Sequence, residues 1–100
     1  MMPSQLIDYY RAIETTSSSM LESAKLGAWE AVIQSEGACA ILISQLRHHS
    51  QNHALSIEDR HEKRRIMLQI LRNDAQIRIM MDPWLEDLEK VMHGGNLVLN

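Results

Sequence analysis

Apolar residues return every three or four positions in three long stretches of this chain, which is the spacing of one face of an α-helix. The first stretch begins at Ser4, a residue type that favours the N-cap, and is followed by Gly27, a type that favours the position after a helix end. We therefore predict a helix over residues 4–26. Its inner face would consist of Leu6, Tyr10, Ile13, Ser17, Met20 and Ala24.

The second stretch starts directly after Gly27 and loses its apolar rhythm in residues 47–53, which we interpret as a helix end followed by a polar loop. We expect Trp29 to be a core anchor at the corner between the first two helices. Gly37 costs about 1 kcal/mol of helix propensity relative to alanine, and a close approach of a neighbouring helix is one reason to tolerate it. The predicted face is Trp29, Val32, Glu36, Cys39, Ile43 and Leu46.

The third stretch has the clearest start, because Ser56 and the acidic residues after it resemble a capping box. Gly94 and Gly95 mark its end. Three pairs of opposite charge at i,i+4 spacing support it: Asp59–Lys63, Asp74–Arg78 and Glu86–Lys90. The apolar stripe steps through Met67, Ile70, Asp74, Ile77, Met81, Trp84, Leu88 and Val91.

Pro83 lies inside this third stretch, where it either starts a new helix or bends a continuous one. A new helix after a turn would shift the stripe, yet the stripe keeps its phase on both sides of the proline. We therefore predict an all-α fold, an antiparallel three-helix bundle with a long third helix kinked near Pro83. Residues 1–94 would form one domain and residues 95–100 a short tail.

The predicted helices differ in length, at roughly 35 Å for the first two and roughly 55 Å for the third. Residues 81–93 would then extend beyond the other helices while still carrying apolar side chains. Three outcomes would cover these side chains: the helix folds back at Pro83, the protein self-associates into a homodimer, or another protein binds there. We predict that a helix of a client protein binds in a groove supplied by the second and third helices, through Met80, Met81, Trp84, Leu85, Leu88 and Met92.

Charge and composition exclude several classes of function. The formal net charge of −3 offers no general attraction for nucleic acid or an anionic membrane. Cys39 is the only cysteine, the N-terminus is unlike a signal peptide, and no apolar run reaches the roughly 20 residues of a membrane span. We expect a cytoplasmic protein that does not insert into membranes.

Few residues suggest chemistry, and we expect neither a cofactor nor enzymatic activity. His48, His49 and His53 lack the local Cys or acidic partners of a metal site. His61 lies too near a helix start to suit a histidine phosphotransfer bundle. Glu36 and Asp74 interrupt the apolar faces, and we interpret them as paired or rim residues, with Arg78 as a partner for Asp74.

Residues 21–36, LESAKLGAWEAVIQSE, resemble the signature of the FliT family of flagellar export chaperones. In that family a glycine ends the first helix and a tryptophan with an acidic residue opens the second, as Gly27, Trp29 and Glu30 do here, and Glu36 matches a glutamate further along. Residues 70–92, ILRNDAQIRIMMDPWLEDLEKVM, are similar to the family's third helix. The resemblance covers about residues 4–94.

The resemblance implies a chaperone that binds the C-terminal region of the filament-cap protein and delivers it to the export ATPase and gate of a type III secretion apparatus. Some members of the family also bind and inhibit the flagellar master transcriptional regulator, and we place such a site on Arg60, Arg64 and Arg65. The alternative is a regulator-binding or other interaction module without a chaperone role. Family members carry a fourth helix that controls access to the binding surface, and residues 94–100 are too short to do so.

Overall fold

The fold was analysed in a computed structural model that describes residues 5–50 and 54–93, with only the backbone described for His93. Three helices follow one another along the chain: α1 (Leu6–Lys25), α2 (Trp29–Ser50) and α3 (Ile57–His93). The predicted all-α three-helix bundle is confirmed. The molecule measures 57 × 24 × 22 Å, and α3, at roughly 55 Å for its 37 residues, matches the long dimension.

The ends of α1 differ in how well the sequence predicts them. Ser4 lies outside the described residues, and Gln5 occupies the N-cap position without a side-chain hydrogen bond. At the other end Gly27 has a φ of 72°, and its N–H donates to the Ala24 carbonyl at 3.0 Å. The Ala28 N–H donates to the Ser23 carbonyl at 2.9 Å, which completes a Schellman motif around the predicted glycine.

The start of α3 also agrees with the sequence, because the Asp59 N–H donates to the Ser56 hydroxyl at 3.1 Å. The helix then runs without interruption through Pro83 to His93. The kink at Pro83 stays a prediction, and the tail lies outside the described residues. Of the three predicted i,i+4 ion pairs, only Asp74–Arg78 is formed, at 2.9 Å.

Helix α1 lies between the other two and packs against both. Near its start, Ile7 and Tyr10 contact Ile66 of α3, and Leu46 and Leu55 pack against this cluster. Near its end the second cluster is formed by Leu21, Ala24, Val32 and Ile77. The start of α1 therefore lies near the start of α3 and the end of α2.

A polar layer separates the two clusters. Asn73, only 1% exposed, donates from Nδ2 to the hydroxyl oxygens of Ser17 (3.2 Å) and Ser18 (3.3 Å), and its Oδ1 accepts from Gln69 Nε2 at 2.9 Å. These bonds satisfy the buried amide, as burial requires. They also fix the register of α3 on α1, because a shift by one residue would break them.

Two ion pairs on the surface join the same helices. Arg11 donates to Glu62 at 2.7 and 2.9 Å, and Arg65 donates to Glu14 at 2.8 and 3.1 Å. The hydrogen bond from Arg11 holds the pKa of Glu62 below its usual value. Both pairs are solvent-exposed, so they contribute more to register than to stability.

The structure corrects the predicted inner faces of α2 and α3. On α3 the buried residues are Ile66, Asn73 and Ile77, whereas Met67 and Asp74 are exposed. On α2 only Val32 is buried. A close helix–helix approach is not the reason for Gly37, because nothing in the described chain lies within 4 Å of the position that a Cβ would take.

Candidate functional site

The principal candidate site is a groove between α2 and α3. Both helices pack against α1, but their backbones do not pack against each other along their lengths. Within residues 5–50 and 54–93, no helix covers the middle of α2 on that side. We call this space the α2–α3 groove. Its volume is about 770 Å³, and it is lined by Ile13, Ser17, Met20, Val32, Glu36, Cys39, Ile43, Ile70, Leu71, Asp74, Ile77, Arg78, Met81, Asp82 and Leu85.

The floor and walls of the groove are mainly aliphatic, and its rim is mainly acidic. Glu36 of α2 and Asp82 of α3 are exposed and form no ion pair in the described chain, whereas Asp74 is bound by Arg78 at 2.9 Å. The predicted pairing of Asp74 with Arg78 is thus confirmed, at the rim. Partial burial, with a smaller effect of Glu36, raises the pKa of the Cys39 thiol in the wall.

Two tryptophans meet at the distal end of the groove. The Trp29 ring at the start of α2 stacks on the Trp84 ring of α3, with centroids 5.6 Å apart and an interplanar angle of 24°. Met80 and Met81 pack against the core cluster beneath them. The prediction that α3 loses cover from residue 81 onward is therefore wrong, because the Trp29 side chain reaches Trp84 and extends the cover by one turn.

Beyond Trp84, α3 carries apolar side chains that the described chain leaves open. We call this surface the distal ribbon: Leu85 (44% exposed), Leu88 (42%), Val91 (70%) and Met92 (58%). Leu85 belongs to both the distal ribbon and the α2–α3 groove. The two surfaces are thus one continuous apolar track about 22 Å long from Ile70 to Leu85, with the rest of the ribbon beyond it.

The six predicted client-binding residues fall into two groups. Met80, Met81 and Trp84 are half-buried against the bundle. Leu85, Leu88 and Met92 are exposed on the distal ribbon. The prediction that the second and third helices supply the groove did not single out Cys39 and Ile43, which belong to its α2 wall. Their signal was the apolar stripe of α2.

The predicted regulator-binding arginines lie on a different part of α3. Arg60 and Arg64 are exposed and form no ion pair in the described chain, whereas Arg65 is held by Glu14. A shallow cavity of about 690 Å³ follows this stretch of helix. It is lined by Ile57, Arg60, His61, Arg64, Arg65, Leu68, Gln69 and Arg72, with no acidic residue among them.

The histidines considered from the sequence do not form a metal site in the described chain. His53 lies outside the described residues, and the His49 ring lies 4.9 Å from the Tyr9 ring. No group of three His, Cys, Asp or Glu residues in the described chain is arranged to hold a metal ion. Among the same residues, no helix is both long and apolar enough to cross a lipid bilayer.

The profile of the family described as flagellar protein FliT matches residues 7–96, nearly the whole chain. No curated protein and no solved structure matches the chain.

Proposed function

Because this chain belongs to the FliT family of flagellar proteins, we propose that it is a cytoplasmic chaperone of flagellar type III export, without catalytic activity. Its client would be the C-terminal region of the filament-cap protein, kept competent for export and delivered to the export ATPase and gate. The observation that carries the proposal is the continuous apolar track formed by the α2–α3 groove and the distal ribbon.

The shape of the track favours an amphipathic helix as the bound segment. Its straight walls are two helices, its floor is a third, and a client helix would take the place of a fourth. Methionines such as Met20 and Met81 along the track adapt to different apolar side chains. A contact of about 800 Å² per partner is sufficient for specific binding.

The charge of the rim indicates which face the client helix presents. Glu36 and Asp82 lie on opposite sides of the groove without ion pairs in the described chain. Basic residues flanking the apolar face of the client would pair with them, and acidic residues would be repelled. We therefore propose a client helix with a basic border.

The double variant Leu85→Ser/Leu88→Ser is expected to weaken binding of a C-terminal cap-protein segment by about 30-fold or more, because two apolar contacts are lost. Titration calorimetry measures this effect, and the stacked Trp29 and Trp84 supply a fluorescence signal at the same end. The matched control is Ile33→Ser/Ile41→Ser, two exposed isoleucines of α2 outside the groove. Equal affinity of wild type and Leu85→Ser/Leu88→Ser would refute the site.

A second binding role, for the flagellar master transcriptional regulator, is favoured by the unpaired Arg60 and Arg64. Arg65 is the weaker candidate because Glu14 already binds it. Binding there would inhibit the regulator by occupying it.

The variant Arg60→Glu/Arg64→Glu is expected to relieve inhibition of a regulator-dependent reporter while leaving cap-protein binding unchanged, since the α2–α3 groove includes neither residue. Loss of both activities together would show that one surface serves both partners.

A further inference from the structure

Polar side chains interrupt the α2–α3 groove partway along its length. Ser17 of α1, Glu36 of α2 and Asp74 of α3 all line the groove. On each helix the polar residue lies three or four positions from the core cluster near the tryptophans, which contains Leu21, Val32 and Ile77. Each lies on the side of that cluster that faces the other one. The three side chains are therefore at one level of the groove, and we call them the polar belt.

Apolar side chains line the groove on both sides of the polar belt. Toward the tryptophans they are Met20, Val32, Ile77, Met81 and Leu85, and toward the other end they are Ile13, Cys39, Ile43, Ile70 and Leu71. A client helix with an unbroken apolar face would satisfy both ends but would cover the polar belt with hydrocarbon. The groups of the belt would then lose water without gaining a hydrogen bond, which is costly.

Ser17 brings a hydrogen-bond donor to the floor of the belt. It is 5% exposed, and its oxygen accepts from Asn73 Nδ2 at 3.2 Å. A serine hydroxyl also has one proton to donate. The neighbouring Thr16 donates its proton to the Ala12 carbonyl at 2.9 Å, whereas the Ser17 proton has no acceptor within the described chain. The Ser17 hydroxyl is therefore ready to donate to a group that enters the groove.

The walls of the belt supply groups of the opposite kind. The ionised carboxylates of Glu36 and Asp74 only accept hydrogen bonds. Arg78 binds Asp74 at 2.9 Å, but Glu36 forms no ion pair in the described chain. A carboxamide complements a donor on the floor and an acceptor on the wall, because it carries an acceptor oxygen and a donor nitrogen on one planar group. Lysine and arginine only donate, and a serine or threonine has a single oxygen for both roles.

From this arrangement, and resting on the client binding proposed above, we propose that the polar belt fixes the register of the bound helix through one asparagine or glutamine in the middle of its apolar face. The Ser17 hydroxyl donates to the amide oxygen of this client residue, and the Glu36 carboxylate accepts from its amide nitrogen. A carboxylate has several acceptor positions, so Glu36 also has room for a basic residue of the client's border.

A single polar contact within an apolar seam selects one alignment of two helices, because every other alignment leaves polar groups unpaired. Sliding the client by one turn, about 5.4 Å, would move its amide onto Ile13 or Met20 and place an apolar residue on Ser17. Ser17 is therefore a specificity-determining residue. It selects a helix with a central amide over a helix whose inner face is wholly apolar.

Titration calorimetry with the C-terminal cap-protein segment tests the role of Ser17. The variant Ser17→Ala is expected to bind the segment about tenfold more weakly than wild type, because a hydrogen bond in a water-excluded groove is lost. The matched control is Ser18→Ala. Ser18 also accepts from Asn73, at 3.3 Å, but it does not line the groove, so this variant should bind like wild type. Urea denaturation checks that both variants are folded under the conditions of the titration.

A second set of titrations identifies the client residue. Each asparagine and glutamine of the segment is replaced by leucine in turn, and each lysine and arginine by methionine. One leucine substitution is expected to weaken binding to wild type about tenfold and to have little effect on binding to Ser17→Ala, since both changes remove the same contact.

The outcomes separate the register from the chaperone function. If the segment binds wild type but Ser17→Ala and Ser18→Ala bind it equally, the polar belt does not set the register. Coupling of Ser17 to a lysine or arginine of the segment, or to none of the replaced residues, would likewise overturn the proposal. A segment that does not bind wild type at all would contradict the proposed function itself, and the register with it.

Discussion

Replacing Ile66 with alanine is expected to lower the free energy of unfolding by about 2–4 kcal/mol. Ile66 is 0% exposed and packs with Ile7 and Tyr10 of α1 in one of the two core clusters of the described chain. The loss combines the transfer free energy of the removed methyl and methylene groups with the cavity they leave. For a domain of this size the melting temperature should fall by at least about 10 °C.

Urea denaturation followed by circular dichroism measures the change, and Ile41→Ala supplies a matched control. Ile41 is also helical but 62% exposed, so the same substitution there should change the free energy of unfolding by less than about 0.5 kcal/mol. Similar losses at both positions would contradict the assignment of Ile66 to the core.

Replacing Asn73 with aspartate is expected to cost about 2–4 kcal/mol at neutral pH, although the side chains have the same shape. The amide Nδ2 that donates to Ser17 and Ser18 becomes an oxygen in a site that is 1% exposed. The two hydroxyls would rotate to donate, but no cation faces the new carboxylate among its hydrogen-bond partners. A buried charge without a counter-ion is costly.

The cost of this substitution should depend on pH. Burial raises the pKa of the new carboxyl group in the folded state above its value in the unfolded chain, so the folded state binds the proton more tightly. The variant is then closest to wild type below the unfolded pKa of about 3.9 and loses stability as the pH rises through the folded pKa. Urea denaturation of both proteins at acidic and neutral pH measures the difference.

Gln76→Glu is the control for Asn73→Asp, because it makes the same change of amide to carboxylate on the same helix at an exposed position. It should be nearly neutral at both pH values. If Asn73→Asp behaves like this control, the buried polar layer between α1 and α3 does not exist in solution.

The helices were well predicted from the sequence because their signals are local. Gly27 ends α1 in a Schellman motif and Ser56 caps α3, as their positions in the sequence indicate. The inner face of α1 also follows the predicted stripe, with Tyr10, Ile13 and Ala24 buried. These features depend on residues three or four positions apart, which a periodic pattern describes directly.

The candidate site was predicted in part. Leu85, Leu88 and Met92 are exposed, as we predicted for client-binding residues. Trp84 is only partly exposed, because the ring of Trp29, which lies 55 positions earlier in the chain, stacks on it. The individual residues of the α2 wall were not singled out, because an apolar stripe that forms a binding surface has the same spacing as one that is buried.

The sequence by itself determined that the chain forms three helices, where α1 ends and α3 begins, and that apolar residues continue past Pro83. Only the tertiary structure decided that α2 and α3 stay apart on α1 and that the Trp29 side chain covers Trp84. The physical reason is that helical periodicity arises from neighbours within one turn. Which apolar face is covered depends instead on how far distant side chains reach when the helices pack.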